Sequence, residues 1–278
     1  MSETPPVVLI HGLWIHASAW APWIDLLAAR GFTATAPGWP GEAATVAETR
    51  ADPDPQNDVG ITAICEHYAE LFASEGIKPI VIGHSFGGLI AQELLAHDLA
   101  VAAVAIDPAP IRGVKALPFS QLKSGLPVLG NPGNKKRTVA LTAKEFKYSF
   151  GNALSQEESD ALWEAVTIPG PGRPLFEDAA ANFSRHSPAQ VDTHTAVRGP
   201  LLLTSGSVDH TVPAKVTREV FALYSDNEAS STEYHEFEGK GHSLTIDAGW
   251  SEVAEVVLDW LATKGFGATA PAATDAAS

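Results

Sequence analysis

Three side chains in this sequence could together activate an oxygen nucleophile. Ser85 stands between two glycines in Gly83-His84-Ser85-Phe86-Gly87, and Asp209 and His242 lie far downstream. A serine hydroxyl is a poor nucleophile at neutral pH. It needs a base to take its proton, and an imidazole base needs an acid to orient it. The setting of Ser85 suits that role. Ile80, Val81 and Ile82 have the β-rich character of a buried strand, while Leu89 to Leu95 carry apolar residues at helical spacing, so the serine falls on a strand-to-helix turn. Gly83 and Gly87 relieve crowding where such a turn pushes a hydroxyl outward.

The elements that must position these groups can be read in chain order. Val7-Val8-Leu9-Ile10 is a short apolar run delivered to His11-Gly12 and the loop Leu13-Trp14-Ile15-His16. Ser18 could cap a helix in which Trp20, Trp23, Ile24 and Leu27 recur until Gly31. Phe32 to Ala36 alternates as a second strand before the turn cluster Pro37 to Gly41. Glu42 to Asp58 is polar with no repeating apolar face, which predicts a surface loop. A helix is expected from about Val59 to Glu75. It contains Cys65, whose neighbours Ile61, Ile64 and Tyr68 mark it as a small core residue. The segment around Ser85 supplies the third strand and its helix, and Val101 to Ile106 a fourth strand ending at Asp107-Pro108. This alternation implies an α/β fold, a mostly parallel sheet with helices on both faces.

The alternation breaks between about Ala109 and Ala196. Helices are expected at Ala143 to Phe150 and at Ser155 to Val166, the latter opening with the capping-box form Ser155-Gln156-Glu157-Glu158, and Pro169 to Pro174 forces a turn. So long a stretch without a clear strand, placed between two strands, predicts a packed cap rather than a linker. The sheet pattern resumes at Pro200 to Ser205, followed by Gly206-Ser207-Val208-Asp209. A helix from about Ala214 to Tyr224 comes next, then a strand from Thr232 to Phe237 leading to Gly241-His242. A last helix has Trp250, Val253, Val257, Trp260 and Leu261 on one face. Asp209 and His242 each lie beyond the end of a strand, where a loop could lean over Ser85. The expected organisation is a core of residues 1–108 and 197–266, a cap of residues 109–196, and a disordered alanine-rich tail of residues 267–278.

Composition bounds the function. The 278 residues suffice for one domain with an insertion. Hydrophobic content of 45% with 18% charged residues is ordinary for a water-soluble protein, and no apolar run has the length of a membrane span. A net charge of -15 repels phosphate backbones and anionic lipid, so neither nucleic acid nor membrane insertion is expected. The first residues lack a basic region followed by an apolar one, so the cytoplasm is the expected location. A single cysteine excludes an intramolecular disulfide framework.

Taken together, His11-Gly12, Gly83 to Gly87, Gly206 to Pro213 and Gly241-His242 make the chain resemble the α/β-hydrolase superfamily over about Val7 to Gly265. The resemblance implies Ser85 as nucleophile, His242 as general base and Asp209 as the acid that orients the imidazole. It also implies an oxyanion hole at the backbone N–H groups of Leu13 and Phe86, with Trp14, His84 and Pro108 about the substrate pocket. Only six residues precede the first strand, so a six-stranded sheet is expected, as in the smaller members. Serine at the nucleophile position argues against the aspartyl-ester chemistry of haloalkane dehalogenases and epoxide hydrolases. The implied activity is hydrolysis of a small to medium apolar carboxylic ester or lactone, without a cofactor. Relatives use the same triad for hydroxynitrile cleavage or perhydrolysis, and some serve as ligand receptors. For the lyase, a cap lysine would be needed to hold cyanide, with Lys115, Lys123, Lys144 and Lys147 as candidates.

Asp107 is a second candidate acid, since some relatives keep the acid after that strand, although Asp209 has the better motif. His11 and His84 are read as hydrogen-bonded supports. His16, His210 and His235 lack the spacing of metal ligands, and the glycines near Ser85 lack the lysine of a phosphate-binding loop, so neither a metal nor a nucleotide is expected.

Overall fold

The computed structural model describes residues 4–267, so the expected tail lies, apart from Gly267, outside the described residues. The first half of the chain forms β1 (Val7–Ile10), α1 (Ala21–Ala29), β2 (Ala34–Thr35), α2 (Val46–Ala51), α3 (Ile61–Glu75), β3 (Ile80–His84), α4 (Phe86–Ala96) and β4 (Ala102–Ile106). An insertion follows with α5 (Phe119–Leu129), β5 (Thr138–Val139), α6 (Ala143–Ser149), α7 (Gln156–Val166), β6 (Gly170–Pro171) and α8 (Arg173–Ala179). The chain returns to β7 (Leu201–Gly206), α9 (Ala214–Ala222), β8 (Thr232–Phe237) and α10 (Trp250–Thr263).

Six strands form one sheet in the order β2-β1-β3-β4-β7-β8, every neighbouring pair parallel. The near-continuous apolar runs of β1, β3, β4 and β7 arise because both faces are covered. Val7, Leu9, Ile80, Ile82, Val104 and Ile106 face a layer containing Trp23 and Leu27 of α1 and Val253, Val257 and Leu261 of α10. Val8, Ile10, Val81, Ala103 and Ala105 face the opposite layer, with Ile64 and Tyr68 of α3, Leu89 and Ile90 of α4 and Val216 and Val220 of α9. The alternation of period 2 along each strand therefore divides one apolar run between two cores.

Four features differ from the sequence reading. The polar stretch 42–58 holds α2, which Thr45 caps by accepting from the Glu48 N–H, and buries Thr49 and Gln56. Arg50 of α2 donates to the Trp163, Glu164 and Thr167 carbonyls at 3.0, 2.8 and 2.8 Å, satisfying the end of α7. α5 was hidden by Gly125 and Pro127, residues that weaken a helical pattern but stand in its last two turns. Pro174 falls in the first turn of α8, where a proline starts a helix instead of ending one. Thr138 and Val139 also pair antiparallel with Pro171 and Gly170, a small ladder in a region expected to hold no strand.

The insertion is hydrogen-bonded to the loop after β1. The His16 N–H donates to the Val166 carbonyl and the Ile168 N–H to the Trp14 carbonyl, both at 2.9 Å. The Trp14 indole donates to the Val139 carbonyl at 3.0 Å. Among the described residues no helix is long and apolar enough to cross a membrane.

Candidate active site

Ser85 occupies the turn between β3 and α4 with φ 57° and ψ −120°, a backbone conformation that side-chain-bearing residues rarely adopt. The glycines around it are required by contact. A Cβ on Gly83 would come 1.9 Å from the Gly87 carbonyl oxygen, and one on Gly87 would come 2.2 Å from that of Ile10. The bare backbone lets the start of α4 press onto β3 and β1, which forces the strained turn and holds the hydroxyl at the C-terminal edge of the sheet. The loop after β1 also passes directly over the serine, since a Cβ on Gly12 would lie 2.6 Å from Ser85 Cβ.

Loops beyond β7 and β8 bring the other two groups to the same edge. His242 Nε2 lies 3.0 Å from Ser85 Oγ, and His242 Nδ1 lies 2.5 Å from Asp209 Oδ2. All three residues are buried. The other oxygen of Asp209 accepts from the Thr211 and Val212 N–H groups at 2.6 and 3.0 Å, which fixes the carboxylate facing the imidazole. The ring of His242 is walled by His84, 4.6 Å between centroids, and by Phe150 of the insertion, 4.8 Å edge to face.

Asp107, at the end of β4, is the second acid at this centre. It is fully buried with a left-handed φ of 43°, and its Oδ1 accepts from the Gly206 N–H at 2.7 Å. Its Oδ2 lies 3.8 Å from His242 Nδ1, farther than Asp209. Burial, followed by the charge of Asp209, raises its pKa well above the usual carboxyl range. As a carboxylate it would leave Oδ2 without a donor; protonated, it donates to Asp209.

The expected pocket residues divide. Leu13, Trp14, Ser85 and Phe86 line a cavity of about 150 Å³ between the sheet edge and the insertion. His84 and Pro108 do not line it. His84 is turned against His242, with burial and then the charge of His242 holding its pKa well below the usual imidazole value. Its Nε2 has no hydrogen-bond partner, while the Nδ1 of His11 lies 2.9 Å from the Gly12 carbonyl oxygen. Pro108 packs over Gly88, where a glycine Cβ would meet it at 3.0 Å. His84, the last residue of β3, and Pro108, two residues past the end of β4, stay within the packed end of the sheet.

Phe86 is the first residue of α4, so its N–H has no acceptor within the helix. Among the described residues the Leu13 N–H is not engaged by a backbone carbonyl either. Behind this loop is a group that no motif indicated. Glu42, from the supposed surface loop, lies 3.0 Å from His11 Nε2 and 3.4 Å from His16 Nε2, and accepts from the Ala17 N–H at 2.9 Å. Burial opposes the charge on both His11 and Glu42, but their mutual attraction and hydrogen bonds outweigh it. The His11 pKa is raised and the Glu42 pKa lowered. A lone glutamate in a polar stretch carries no periodic signal that could have revealed this pairing.

None of Lys115, Lys123, Lys144 and Lys147 lines the cavity at Ser85. Lys123, Lys144 and Lys147 line a separate groove, and Lys147 is bound to the Gly151 and Leu154 carbonyls at 2.8 and 2.7 Å. His84, Asp107 and His242 are close enough to hold a metal, with ligand atoms within 4.8 Å of one another. Both nitrogens of His242, however, are committed to Asp209 and Ser85. His16 and His210 are bonded to the Ala43 and Tyr148 carbonyls, and His235 packs on Phe237.

A buried serine, histidine and carboxylate thus meet at the C-terminal edge of a parallel sheet. The chain belongs to the alpha/beta hydrolase family, whose model matches residues 7–256. Among solved structures it is similar to an extracellular alpha/beta-hydrolase from a Paenibacillus species, with 20% identity, coverage of 92% of this chain and 98% of that one, and a TM-score of 0.68. It is similar also to the Paleococcus ferrophilus monoacylglycerol lipase, at 23% identity, 94% and 96% coverage and a TM-score of 0.63. The enol-lactonase of Burkholderia xenovorans LB400 matches at 17% identity, 94% and 92% coverage and a TM-score of 0.65. These likenesses are of fold. No protein of curated function matches the chain.

Proposed function

We propose that the protein is a serine hydrolase that cleaves a small carboxylic ester or lactone through an acyl-enzyme. The observation that carries this reading is His242 standing between Ser85 and Asp209, 3.0 Å from one and 2.5 Å from the other. In the proposed reaction Ser85 Oγ attacks the substrate carbonyl carbon while His242 Nε2 takes its proton, and Asp209 stabilises the resulting imidazolium. The carbonyl oxygen becomes an oxyanion, for which the unengaged N–H groups of Leu13 and Phe86 are the donors. Each such donor contributes on the order of 3 kcal/mol to the transition state. Collapse breaks the bond to the alcohol oxygen, which leaves with the proton from His242. Water then attacks the acyl-Ser85 ester, gives its proton to His242, and releases the acid and the free serine. The protein's own groups suffice for every step.

The cavity supports a small substrate. A volume of about 150 Å³ matches a void that elsewhere accommodates a group the size of benzene. Its walls, with Leu117, Leu122, Leu129, Leu175 and Val212, are mainly apolar. We take residues 109–196 as the cap that supplies most of this wall. Cyanohydrin cleavage is less well supported, because no lysine stands in the cavity to hold cyanide.

The test is turnover of 4-nitrophenyl esters of two to eight acyl carbons by the wild-type chain and by Ser85→Ala and His242→Ala. The reading predicts multiple turnover on the shorter esters and a loss of about 10⁵-fold or more in kcat for either variant. Full turnover by Ser85→Ala would exclude the mechanism.

A further inference from the structure

The cavity beside Ser85 is apolar except at two places that neither the acyl transfer nor the fold uses. Gln121 of α5 and Asp178 of α8 both line it. The carboxamide oxygen of Gln121 is buried without a hydrogen-bond partner. The polar groups elsewhere on the wall are satisfied: Ser124 Oγ donates to the His210 carbonyl at 3.3 Å and Thr211 Oγ1 to the Ser149 carbonyl at 2.9 Å. Asp178 stands differently. Burial pushes its pKa up to about 8, and neither a neighbouring charge nor a hydrogen bond counters it. At neutral pH it is mainly the uncharged acid, with an O–H to donate. Native proteins keep few unmet buried polar groups, and the Gln121 oxygen, in the same cavity as the half-buried Asp178, points to a ligand that meets it.

The pair narrows the chemistry of that ligand. An unpartnered carbonyl oxygen asks for a donor and a neutral carboxylic acid asks for an acceptor. A hydroxyl is both, with one O–H and two lone pairs. An ammonium offers no lone pair, and a carboxylate offers nothing to Gln121. We propose that this cavity selects a small ester whose buried chain carries a hydroxyl group, which donates to Gln121 and accepts from Asp178. The proposal rests on the hydrolase reading for its reaction, but the recognition itself is a property of the cavity.

The experiment compares kcat/KM for methyl alkanoates of four to seven carbons with that for their ω-hydroxy counterparts. Acetates of the matching alcohols and diols are included, so that either side of the ester is covered. Wild type, Asp178→Leu and Gln121→Leu are measured alongside their thermal unfolding. The expected result is a preference of about tenfold for the hydroxylated member at one chain length in the wild type. It should fall to unity or below in either variant. A variant that unfolds leaves the other to decide. A wild-type ratio of one or less at every chain length, or a preference that both variants retain, overturns the proposal. If the wild type cleaves no ester, the hydrolase reading fails separately. Quenching of tryptophan fluorescence, with Trp14 in the cavity wall, by the diols and by the plain alcohols then tests recognition alone. Tighter binding of a diol that is lost in the folded variants supports the proposal, and equal binding overturns it.

Discussion

Asp107 and Asp209 show how two identical side chains acquire different properties a few ångströms apart. Asp209 receives two backbone N–H bonds on one oxygen and faces His242 with the other. Asp107 has one N–H donor, and burial and then its neighbour's charge raise its pKa well above the ordinary carboxyl range. Asparagine can replace a neutral acid, so Asp107→Asn is expected to keep kcat within about tenfold of the wild type. Asp209→Asn should lower it by about 10⁴-fold, because the amide no longer holds the required imidazole tautomer. Equal losses from the two substitutions, in steady-state rates on one ester, would show that Asp107 shares the negative charge. Sequence motifs ranked Asp209 above Asp107, but the raised pKa of Asp107 depends on three-dimensional proximity to Asp209 and has no trace in the sequence.

The turn between β3 and α4 is the element on which the site depends. Its strain at Ser85 is maintained by two glycines whose missing Cβ atoms would overlap backbone oxygens, and backbone cannot rotate aside as a side chain can. Gly83→Ala and Gly87→Ala are each expected to destabilise the protein by about 3 kcal/mol or more, read from the midpoint of urea unfolding. A change below about 0.5 kcal/mol would contradict the close packing described. This element was legible in the sequence because local signals agree: a β-rich run, flanking glycines and helical spacing all fall within Ile80 to Leu95. The same holds for β1, β8 and the capping box of α7. α2, α5 and α8 were not legible, since their stability comes from contacts made after folding. Arg50 reaching the end of α7, and Glu177 of α8 accepting from the Ile61 N–H, are examples. The roles of His84 and Pro108 were misplaced for the same reason, as adjacency to a motif does not determine which side of the packed sheet edge a side chain takes.

Across the whole molecule, the insertion and the sheet are joined through the loop after β1, and Glu42 anchors that loop from behind. Backbone bonds from His16 and Ile168 and the Trp14 indole bond all cross this boundary. Unfolding followed by tryptophan fluorescence and by far-ultraviolet circular dichroism is therefore expected to coincide. Separate midpoints would mean that the insertion unfolds by itself. The His11–Glu42 pair adds a pH dependence. The raised His11 pKa stabilises fully below its ordinary value of 6.5, and that contribution is lost as pH rises through the raised value. The lowered Glu42 pKa stabilises fully above its ordinary 4.5, and its contribution is lost as pH falls through the lowered value. Glu42→Gln, which leaves His11 buried without its counter-charge, should cost about 3 kcal/mol between these limits. The difference in Tm from the wild type should shrink as pH rises above the His11 value. A difference that stays constant from pH 5 to pH 10 would mean that His11 carries no charge in the folded protein.

The central claim is that Ser85 is a nucleophile activated by His242, and it is tested most directly by mass spectrometry of the protein after reaction with a fluorophosphonate probe. A single adduct should form, map to Ser85 after proteolysis, and be absent or at least a hundredfold slower to form in folded His242→Ala. No adduct on the wild type, or an adduct on another residue with Ser85 left free, would contradict the account.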